Sequence, residues 1–360
     1  MSEPAPKKYF GDIVEVKSAH RFDLGRLEAF LKERVAGFTT PMSVRQFEGG
    51  QSNPTYILDT PDRTYVLRRK PPGVTLASAH AVDREHRILS ALFAQGFPVP
   101  EPLVYEEDPE VIGSPFYLMA HVPGRIFFDC RMPDLNPDER AAVCDSINET
   151  LARLHSFDPD AIGLEGYGRP GNYFARQVAR WSRQYRDTES HRIPAMDRLI
   201  EWLPGAVPVD VERATRIVHG DYSFHNILIH PTEPKVAAVI DWELSTTGDA
   251  MGDLMYHAME WYRPAGIDPR GTLKGEDLAA LGIPSLDAYL VRYFERRGLP
   301  MPGNLGFYRA YNLFRVAAIW QGVAARAAAG NASSSNAGEM AAKVEPLAEA
   351  AWIEALDAGA

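Results

Sequence analysis

One set of polar residues between two apolar runs constrains this chain more than any other feature. His219, Gly220 and Asp221 follow a first apolar run, Asn226 comes shortly afterwards, and a second apolar run ends in Asp241. Short apolar runs bounded by polar residues predict buried strands, which would hold these side chains on rigid loops. Two interpretations follow: a catalytic loop, or a polar loop between two core strands.

The spacing favours the catalytic interpretation. The order His-x-Asp-x-x-x-x-Asn, followed by an apolar strand ending in Asp, matches the arrangement of phosphoryl-transfer enzymes. In that arrangement Asp221 accepts the proton of the substrate hydroxyl, while Asn226 and Asp241 hold Mg²⁺ on the phosphates of ATP. Amide and carboxylate oxygens suit Mg²⁺, and this chemistry depends on positioning and charge neutralisation. We therefore predict ATP and Mg²⁺ as cofactors and Asp221 as the catalytic base.

Upstream segments fit a nucleotide site. Gly49-Gly50-Gln51-Ser52-Asn53 is a turn whose amides could cradle phosphates, although a plain hairpin turn explains it equally well. Arg68 ends an expected strand, and Glu85 on the next expected helix is its candidate partner. The backbone of Ala120 and Val122 is the candidate contact for adenine. The predicted ATP-binding residues are Gly50, Gln51, Ser52, Asn53, Arg68, Glu85, Ala120 and Val122.

Hydrophobic periodicity predicts an α+β chain with two lobes. Strands are expected near 44–47, 56–58, 64–68, 103–105 and 116–119, with a strand-rich insert at 215–241. Helices are expected at 24–31, 78–95, 137–155, 172–186, 195–203, 285–298, 306–329 and 337–357. We predict a protein-kinase-like fold with a small antiparallel β-sheet lobe and a large mainly helical lobe. Residues 1–40 would be an extension with a helix, 41–122 the small ATP-binding lobe and 123–360 the large catalytic and acceptor lobe.

Composition disfavours several other classes. The 360 residues hold 38 Lys and Arg against 48 Asp and Glu, and a net charge of -10 repels nucleic acid. The only cysteines are Cys130 and Cys144, which cannot form a disulfide framework and fit a reducing compartment. No apolar run approaches the ~20 residues that span a bilayer, and the start lacks the apolar stretch of a signal peptide. We expect a cytoplasmic protein with no nucleic-acid or membrane partner.

The motifs together resemble those of a known family. The turn at 49–53, Val66-Leu67-Arg68, the loop at 219–226 and Ile240-Asp241-Trp242-Glu243 are similar to aminoglycoside phosphotransferase-like kinases, relatives of choline and homoserine kinases. The resemblance covers about residues 40–330. Residues 49–56, 66–73 and 248–254 further resemble the kinase module fused to, or encoded beside, acyl-CoA dehydrogenases.

That subgroup implies a hydroxyacyl-CoA acceptor and a functional association with an acyl-CoA dehydrogenase. An aminoglycoside, choline-like or other metabolite alcohol is the alternative acceptor. A nucleotide-binding pseudokinase without turnover is the alternative from another class. Gly220, Trp242 and Glu243 depart from the protein-kinase pattern and argue against protein substrates.

The sequence of residues 169–192 indicates which class of acceptor the protein could bind. Arg176, Arg180 and Arg183 recur at helical spacing, with aromatic residues between them. A cationic, aromatic face suits an anionic acceptor such as a CoA thioester, while a solvated helix is the alternative. Glu243 is a further candidate acceptor-binding residue. We favour contact between Glu243 and the metal ligands, while direct contact with the metal and a structural role are the alternatives.

Two other motifs receive structural interpretations. Gly166-Tyr167-Gly168-Arg169-Pro170-Gly171 has dinucleotide-binding spacing, but no strand precedes it and a proline interrupts it, so we predict a surface loop. Asp253 is expected to bond to the backbone of the loop that follows it. His219 is expected to pack behind the catalytic loop.

Overall fold

The fold is taken from a computed structural model that describes residues 13–48, 53–71, 81–169, 171–208, 215–328 and 337–360. The chain divides into two compact units. The first, called the sheet unit here, comprises Met1–Phe127, Asp160–Tyr167 and His225–Ser245. The second, the helical unit, comprises Phe128–Pro159, Gly168–Phe224 and Thr246–Ala360. The boundary predicted between the small and the large lobe lies after residue 122, whereas the sheet unit also includes two later segments.

The sheet unit is built on six antiparallel strands in the order β1-β2-β3-β4-β6-β5. They are β1 (Ile13–Val14), β2 (Ser43–Phe47), β3 (Thr55–Asp59), β4 (Thr64–Arg69), β5 (Pro102–Glu106) and β6 (Phe116–Ala120). Two helices, α1 (Leu24–Arg34) and α2 (Val82–Ala94), accompany them. A separate antiparallel pair, β8 (Ile227–Ile229) and β9 (Val236–Val239), belongs to the same unit.

Strand alternation separates two faces of the sheet, because successive side chains point to opposite sides. One face packs against α1 in a core that includes Leu27, Leu31, Tyr56, Leu58, Tyr65, Leu67, Phe116 and Leu118. The other face carries Val66, Arg68 and Met119. The helix predicted after Asp23 is confirmed, since the Asp23 carboxylate accepts a hydrogen bond from the Arg26 amide and caps α1.

The helical unit consists mainly of α-helices, which range from four to 23 residues in length. They are α3 (Pro137–Leu154), α4 (Tyr173–Thr188), α5 (Pro194–Ala206), α6 (Met251–His257), α7 (Met259–Tyr262), α8 (Leu278–Leu281), α9 (Leu286–Arg297), α10 (Gly306–Ala328) and α11 (Ala337–Asp357). Two short strands, β7 (Arg216–Val218) and β10 (Thr246–Gly248), pair antiparallel. Within the described residues, no helix is both long and apolar enough to cross a membrane.

The predicted α+β class is confirmed, with an antiparallel sheet in one unit and mainly helices in the other. Sequence analysis did not predict β1, β10 or the helices α6, α7 and α8. These helices have seven, four and four residues, too few turns for a 3.6-residue period to be recognised.

Candidate functional site

The Arg68 guanidinium organises the charged part of the sheet unit. Its Nε lies 3.2 Å from Oε2 of Glu85, and its Nη1 lies 3.2 Å from Oδ1 of Asp241. Its Nη2 lies 3.6 Å from Oε2 of Glu243. One cation therefore joins β4, α2 and the turn after β9. Burial alone would lower the pKa of Arg68, but these three carboxylates raise it above its ordinary value.

Glu85 is nearly inaccessible, with 1% of the residue exposed, so its polar contacts decide how it is stabilised. Besides Arg68, the Asn53 side-chain amide donates to Oε1 at 2.8 Å and the Tyr117 hydroxyl donates to Oε2 at 2.9 Å. Burial raises the pKa of Glu85, while Arg68, Tyr117 and Asn53 act against that rise. Both carboxylate oxygens therefore have donors, as a buried acidic group requires.

Strand alternation explains why Arg69 does not join this network. Arg69 points to the other face of the sheet, where its guanidinium lies over the Phe22 and Tyr56 rings. Its Nη1 donates to the Ile112 carbonyl at 3.0 Å. Arg68 is thus the arginine of this pair that is available to a ligand site.

Asn226 and Asp241 stand at the same end of the β8–β9 pair. Ile227 begins β8 and pairs with Val239 near the end of β9, and the Ile240 amide donates to the Asn226 carbonyl at 3.0 Å. Asp241 adopts a left-handed backbone conformation (φ 64°), which is uncommon for a residue other than glycine. Strained conformations of this kind concentrate at functional sites.

A cavity of about 160 Å³ lies beside this network within the sheet unit. Five of the residues selected from the sequence line it, namely Arg68, Ala120, Val122, Asn226 and Asp241. Apolar side chains such as Val66, Leu89, Leu228 and Ile240 make up much of the remaining wall. A mostly apolar cavity with a few converging polar groups is the usual form of a small-molecule site.

Some predicted residues are placed differently or cannot be placed. Gly50, Gln51 and Ser52 lie outside the described residues. Asn53 is described, and its side chain binds Glu85. Within the described residues, no group of three or more His, Cys, Asp or Glu side chains is arranged to hold a metal ion.

The helical unit holds Asp221 in a tightly bonded turn. The Asp253 carboxylate accepts the His219 amide at 2.6 Å and the Gly220 amide at 2.8 Å. The Asp221 amide in turn donates to Nδ1 of His219 at 3.2 Å. Gly220 has φ +86°, which a residue with a side chain rarely adopts. Asp253 does bond to backbone, but the expectation that it serves the loop after it is wrong, because it fixes the turn before Asp221.

Helix α4 carries the predicted arginine stripe on its outer side. Its buried face is formed by Tyr173, Phe174, Val178, Trp181 and Tyr185. Arg180 and Arg183 are exposed, whereas Arg176 is partly buried and its Nη1 donates to the Gly171 carbonyl at 2.6 Å. The Arg180 guanidinium lies 4.7 Å from the Trp181 ring centroid. Glu243, which sequence analysis grouped with these arginines, contacts Arg68 in the sheet unit.

Tyr117, Tyr167 and Ser245 were not identified from the sequence. Tyr117 lies directly opposite Arg68 in the β4–β6 register, so a correct strand pairing would have identified it. The Tyr167 hydroxyl and Ser245 Oγ are 2.6 Å apart, and the Arg84 guanidinium lies 4.2 Å from the Tyr167 ring centroid. Tyr167 belongs to the predicted surface loop at 166–171, yet it is buried and connects α2 with the segment after Asp241.

Comparison with known proteins places the chain in a family. Residues 43–289 match the model of the phosphotransferase enzyme family. The chain is 46% identical over 346 residues to acyl-CoA dehydrogenase family member 11 of Gallus gallus, covering 93% of this chain and 44% of that protein. It is 44% identical over 327 residues to family member 10 of Mus musculus, covering 91% of this chain and 30% of that protein. The chain thus spans less than half the length of these curated relatives.

Solved structures agree with the family assignment. A crystal structure from Ralstonia eutropha JMP134, provisionally named an aminoglycoside phosphotransferase, is 46% identical with a TM-score of 0.86 and covers 94% of this chain and 99% of its own. Aminoglycoside phosphotransferase APH(4)-Ia, crystallised with AMP-PNP and hygromycin B, is 20% identical with a TM-score of 0.60, covering 93% and 99% of the two chains. The fold is therefore that of a kinase-like phosphotransferase. The chain belongs to the phosphotransferase enzyme family, whose kinases act on small molecules.

Proposed function

We propose that this enzyme transfers the γ-phosphoryl group of MgATP to the hydroxyl of a small molecule, and that the acceptor is a hydroxyacyl-CoA. The observation that carries the proposal is the Arg68 guanidinium, which binds Glu85 and Asp241 at the wall of an apolar cavity. This arrangement provides a fixed cation for phosphates beside a space for a flat apolar base.

The nucleotide would occupy the cavity of the sheet unit. Adenine would contact the Ala120 carbonyl and the Val122 amide, and Arg68 would bind phosphate oxygens while Glu85 holds it in place. We further propose that Gly50, Gln51, Ser52 and Asn53 contribute to phosphate binding. The AMP-PNP complex of APH(4)-Ia and the ADP complex of APH(9)-Ia, relatives in fold, support ATP as the donor.

Asn226 and Asp241 would hold Mg²⁺. Their amide and carboxylate oxygens are donors that Mg²⁺ accepts, and the Asp241 side chain is 38% exposed and already faces a cation, Arg68. When bound, the ion would neutralise negative charge on the phosphates. Glu243, which shares Arg68 with Asp241, would support these ligands.

Asp221 would act as the catalytic base. It would orient the acceptor hydroxyl and take its proton as the hydroxyl oxygen bonds to the γ-phosphorus and the bond to the β–γ bridging oxygen breaks, releasing ADP. The hydrogen bonds from His219 and Gly220 to Asp253 give the turn the rigidity that positioning requires.

The choice of a hydroxyacyl-CoA rests on two observations. The relatives with 44–46% identity are named acyl-CoA dehydrogenase family members, so a functional association with such a dehydrogenase is part of the proposal. In addition, α4 exposes Arg180 and Arg183, with Arg176 nearby, and these cations suit the phosphates of CoA. A polycationic aminoglycoside, as bound by APH(4)-Ia, would be repelled by them. We also propose a cytoplasmic location, which is consistent with the two free buried cysteines.

An ATP-consumption screen tests the proposal. Purified protein is incubated with MgATP and 4-hydroxypentanoyl-CoA, hygromycin B, spectinomycin, choline or homoserine, and ADP and phosphorylated product are measured. We expect acceptor-dependent ADP release with the CoA thioester. Turnover with an aminoglycoside or an amino alcohol but not with the CoA thioester would rule out a hydroxyacyl-CoA as the acceptor. MgATP binding without turnover on any compound would favour a pseudokinase.

The matched variant is Asp221→Asn. It should lower turnover by about 10³-fold or more while MgATP affinity stays within about twofold, because the proton acceptor is lost and the nucleotide contacts remain. Asp62→Asn, in an exposed turn of the sheet unit, is the control. Unchanged turnover in Asp221→Asn would remove Asp221 from the role of base.

A further inference from the structure

Arg315 in the middle of α10 is a buried cation with an unusual environment. Only 6% of the residue is exposed, and in the part of the chain that the structure describes no carboxylate lies within 4.0 Å of its guanidinium. A buried charge is costly unless nearby groups compensate it. The groups that surround Arg315 therefore indicate what it does.

Those groups connect Arg315 to the turn that carries Asp221. Its Nη2 donates a hydrogen bond to the Gly220 carbonyl, the residue immediately before Asp221. Its guanidinium lies 4.7 Å from the ring centroid of Tyr256 and 5.7 Å from that of Trp181. Aromatic faces stabilise a cation only modestly.

Tyr256, on α6, completes the connection. Its hydroxyl interacts with the Asp221 carboxylate, and burial together with the negative charge of Asp221 raises the pKa of Tyr256 far above its ordinary value. The hydroxyl therefore stays protonated and is able to donate toward that carboxylate. Burial would lower the pKa of Arg315, but Tyr311, Tyr256 and Tyr173 raise it, and the negative charge of Asp221 adds to that rise.

We propose that Arg315 and Tyr256 are positioning residues for Asp221. The Tyr256 hydroxyl orients the Asp221 carboxylate, while Arg315 fixes the preceding carbonyl and places a positive charge near that carboxylate. This inference rests on the proposed function, in which Asp221 is the base. It adds to that function two residues that lie outside the catalytic motif, 35 and 94 positions after Asp221.

A purely structural role makes a different prediction. If Arg315 only ties α10 to the turn, its loss would lower stability and leave the turnover of folded enzyme unchanged. A positioning role predicts a lower kcat at unchanged ATP affinity, because the base is misplaced while the nucleotide cavity is intact. The two roles are therefore separated by kcat and the KM for ATP, measured on protein whose folding has been verified by its unfolding midpoint.

The test compares Tyr256→Phe, Arg315→Met and Arg315→Lys, with MgATP and 4-hydroxypentanoyl-CoA as substrates. Tyr256→Phe keeps the ring under the guanidinium and removes only the hydroxyl, so we expect kcat to fall about 10–100-fold with the KM for ATP within about twofold. Arg315→Met should cost about 100-fold or more, and Arg315→Lys should recover part of that loss because a cation returns. Arg326→Met, an exposed arginine on the same helix, is the matched control.

The double variant Tyr256→Phe/Arg315→Met adds a second readout. Because both residues act on one carboxylate, its kcat should fall less than the product of the two single effects. Wild-type kcat in both single variants, alongside an inactive Asp221→Asn enzyme, would overturn this inference and leave the proposed function intact. An active Asp221→Asn enzyme would overturn the proposed function itself. If Arg315→Met fails to fold, Tyr256→Phe, a change of one oxygen atom, decides the question alone.

Discussion

The Nη1 atom of Arg68 lies 3.2 Å from Oδ1 of Asp241, although the two residues are 173 positions apart in the chain. The predicted phosphate-binding cation, Arg68, is therefore in direct contact with the carboxylate of a predicted metal ligand, Asp241. A divalent ion bound by Asp241 would therefore share that carboxylate with the guanidinium. Metal binding and phosphate binding are expected to depend on each other in this enzyme.

Removing the Asp241 carboxylate should make this dependence visible. We expect Asp241→Ala to lose most of the Mg²⁺-dependent part of ATP binding, by about 10–100-fold in affinity, because a hard oxygen ligand is removed. Titration calorimetry with ATP, with and without Mg²⁺, measures the effect. Asp62→Ala is the control, since Asp62 is exposed in a turn of the same unit. Equal Mg²⁺ enhancement in wild-type and Asp241→Ala protein would contradict the metal assignment.

The buried pair Arg68–Glu85 should contribute strongly to stability. Glu85→Gln keeps the size of the side chain but leaves the Arg68 guanidinium, whose side chain is 12% exposed, with less compensation. Breaking a buried pair from one side costs about 3–5 kcal/mol in the free energy of unfolding. Urea denaturation measures it.

Glu28→Gln provides the matched control for Glu85→Gln. Glu28 forms a 2.8 Å ion pair with Lys32 on the more exposed side of α1 in the same unit. A pair of this type contributes about 0.5 kcal/mol or less. Similar losses in the two variants would show that the Glu85 pair is no stronger than a surface contact.

His257 makes stability depend on pH in a definite direction. Burial among rings that include Tyr222, Phe224 and Tyr289 lowers the pKa of His257 to about 3, with Asp253 acting weakly against the shift. A depressed pKa in the folded state means that the unfolded chain binds the proton more readily. Stability is then complete above about pH 6.5 and falls as the pH drops toward 3, by about 1.4 kcal/mol per pH unit.

The variant His257→Phe should remove this dependence. We expect its free energy of unfolding to change by about 2 kcal/mol less than that of wild type between pH 6.5 and 5, measured by urea denaturation at both values. His191→Phe is the control, because His191 is exposed. Parallel losses in wild type and His257→Phe would assign the acid sensitivity to other groups.

The Tyr167–Ser245 hydrogen bond should affect nucleotide binding from outside the cavity. Ser245 Oγ also donates to the Trp242 carbonyl, and Arg84 on α2 packs on the Tyr167 ring. Tyr167→Phe removes only the hydroxyl, so we expect about 1 kcal/mol of lost interaction and a several-fold weaker affinity for MgATP, with the acceptor KM unchanged. Calorimetry against Tyr105→Phe, a strand tyrosine of the same unit, measures the effect. A raised acceptor KM with normal ATP affinity would show that Tyr167 acts elsewhere.

The α4 arginines should distinguish the acceptor from the nucleotide. We expect Arg176→Ala/Arg180→Ala to raise the KM for 4-hydroxypentanoyl-CoA by about tenfold while the KM for ATP stays within about twofold, because charge-assisted contacts to the acceptor phosphates are lost. Arg326→Ala, the loss of one exposed arginine elsewhere in the helical unit, is the surface control. An equal effect on both Michaelis constants would indicate that these arginines form a solvated surface and do not bind the acceptor.

Much of the architecture follows from local sequence patterns. Asp23 and the apolar spacing after it locate α1, and strand alternation separates Arg68 from Arg69. The position of α1 and the opposite orientations of Arg68 and Arg69 depend on short-range periodicity, which a sequence displays directly.

Other parts of the site depend on tertiary register, which no local pattern records. Tyr117 reaches Glu85 only because β6 pairs with β4 in one register, and Tyr256 reaches Arg315 from a helix of seven residues. Tyr167 belongs to a loop whose glycines and proline predicted an exposed turn, yet packing against Arg84 buries it. Such contacts were beyond prediction because each partner looks ordinary in its own segment.

The sheet unit is assembled from three separate stretches of chain, and this has a consequence for how the protein can be divided. A fragment that ends at Phe127 would keep Arg68 and Glu85 but lack Asn226 and Asp241. Recombination between two homologues after Phe127 would give a chimera whose sheet unit contains segments from both parents. Crossovers that preserve activity should therefore require compatible parents on both sides of the junction, even when only the amino-terminal portion is exchanged.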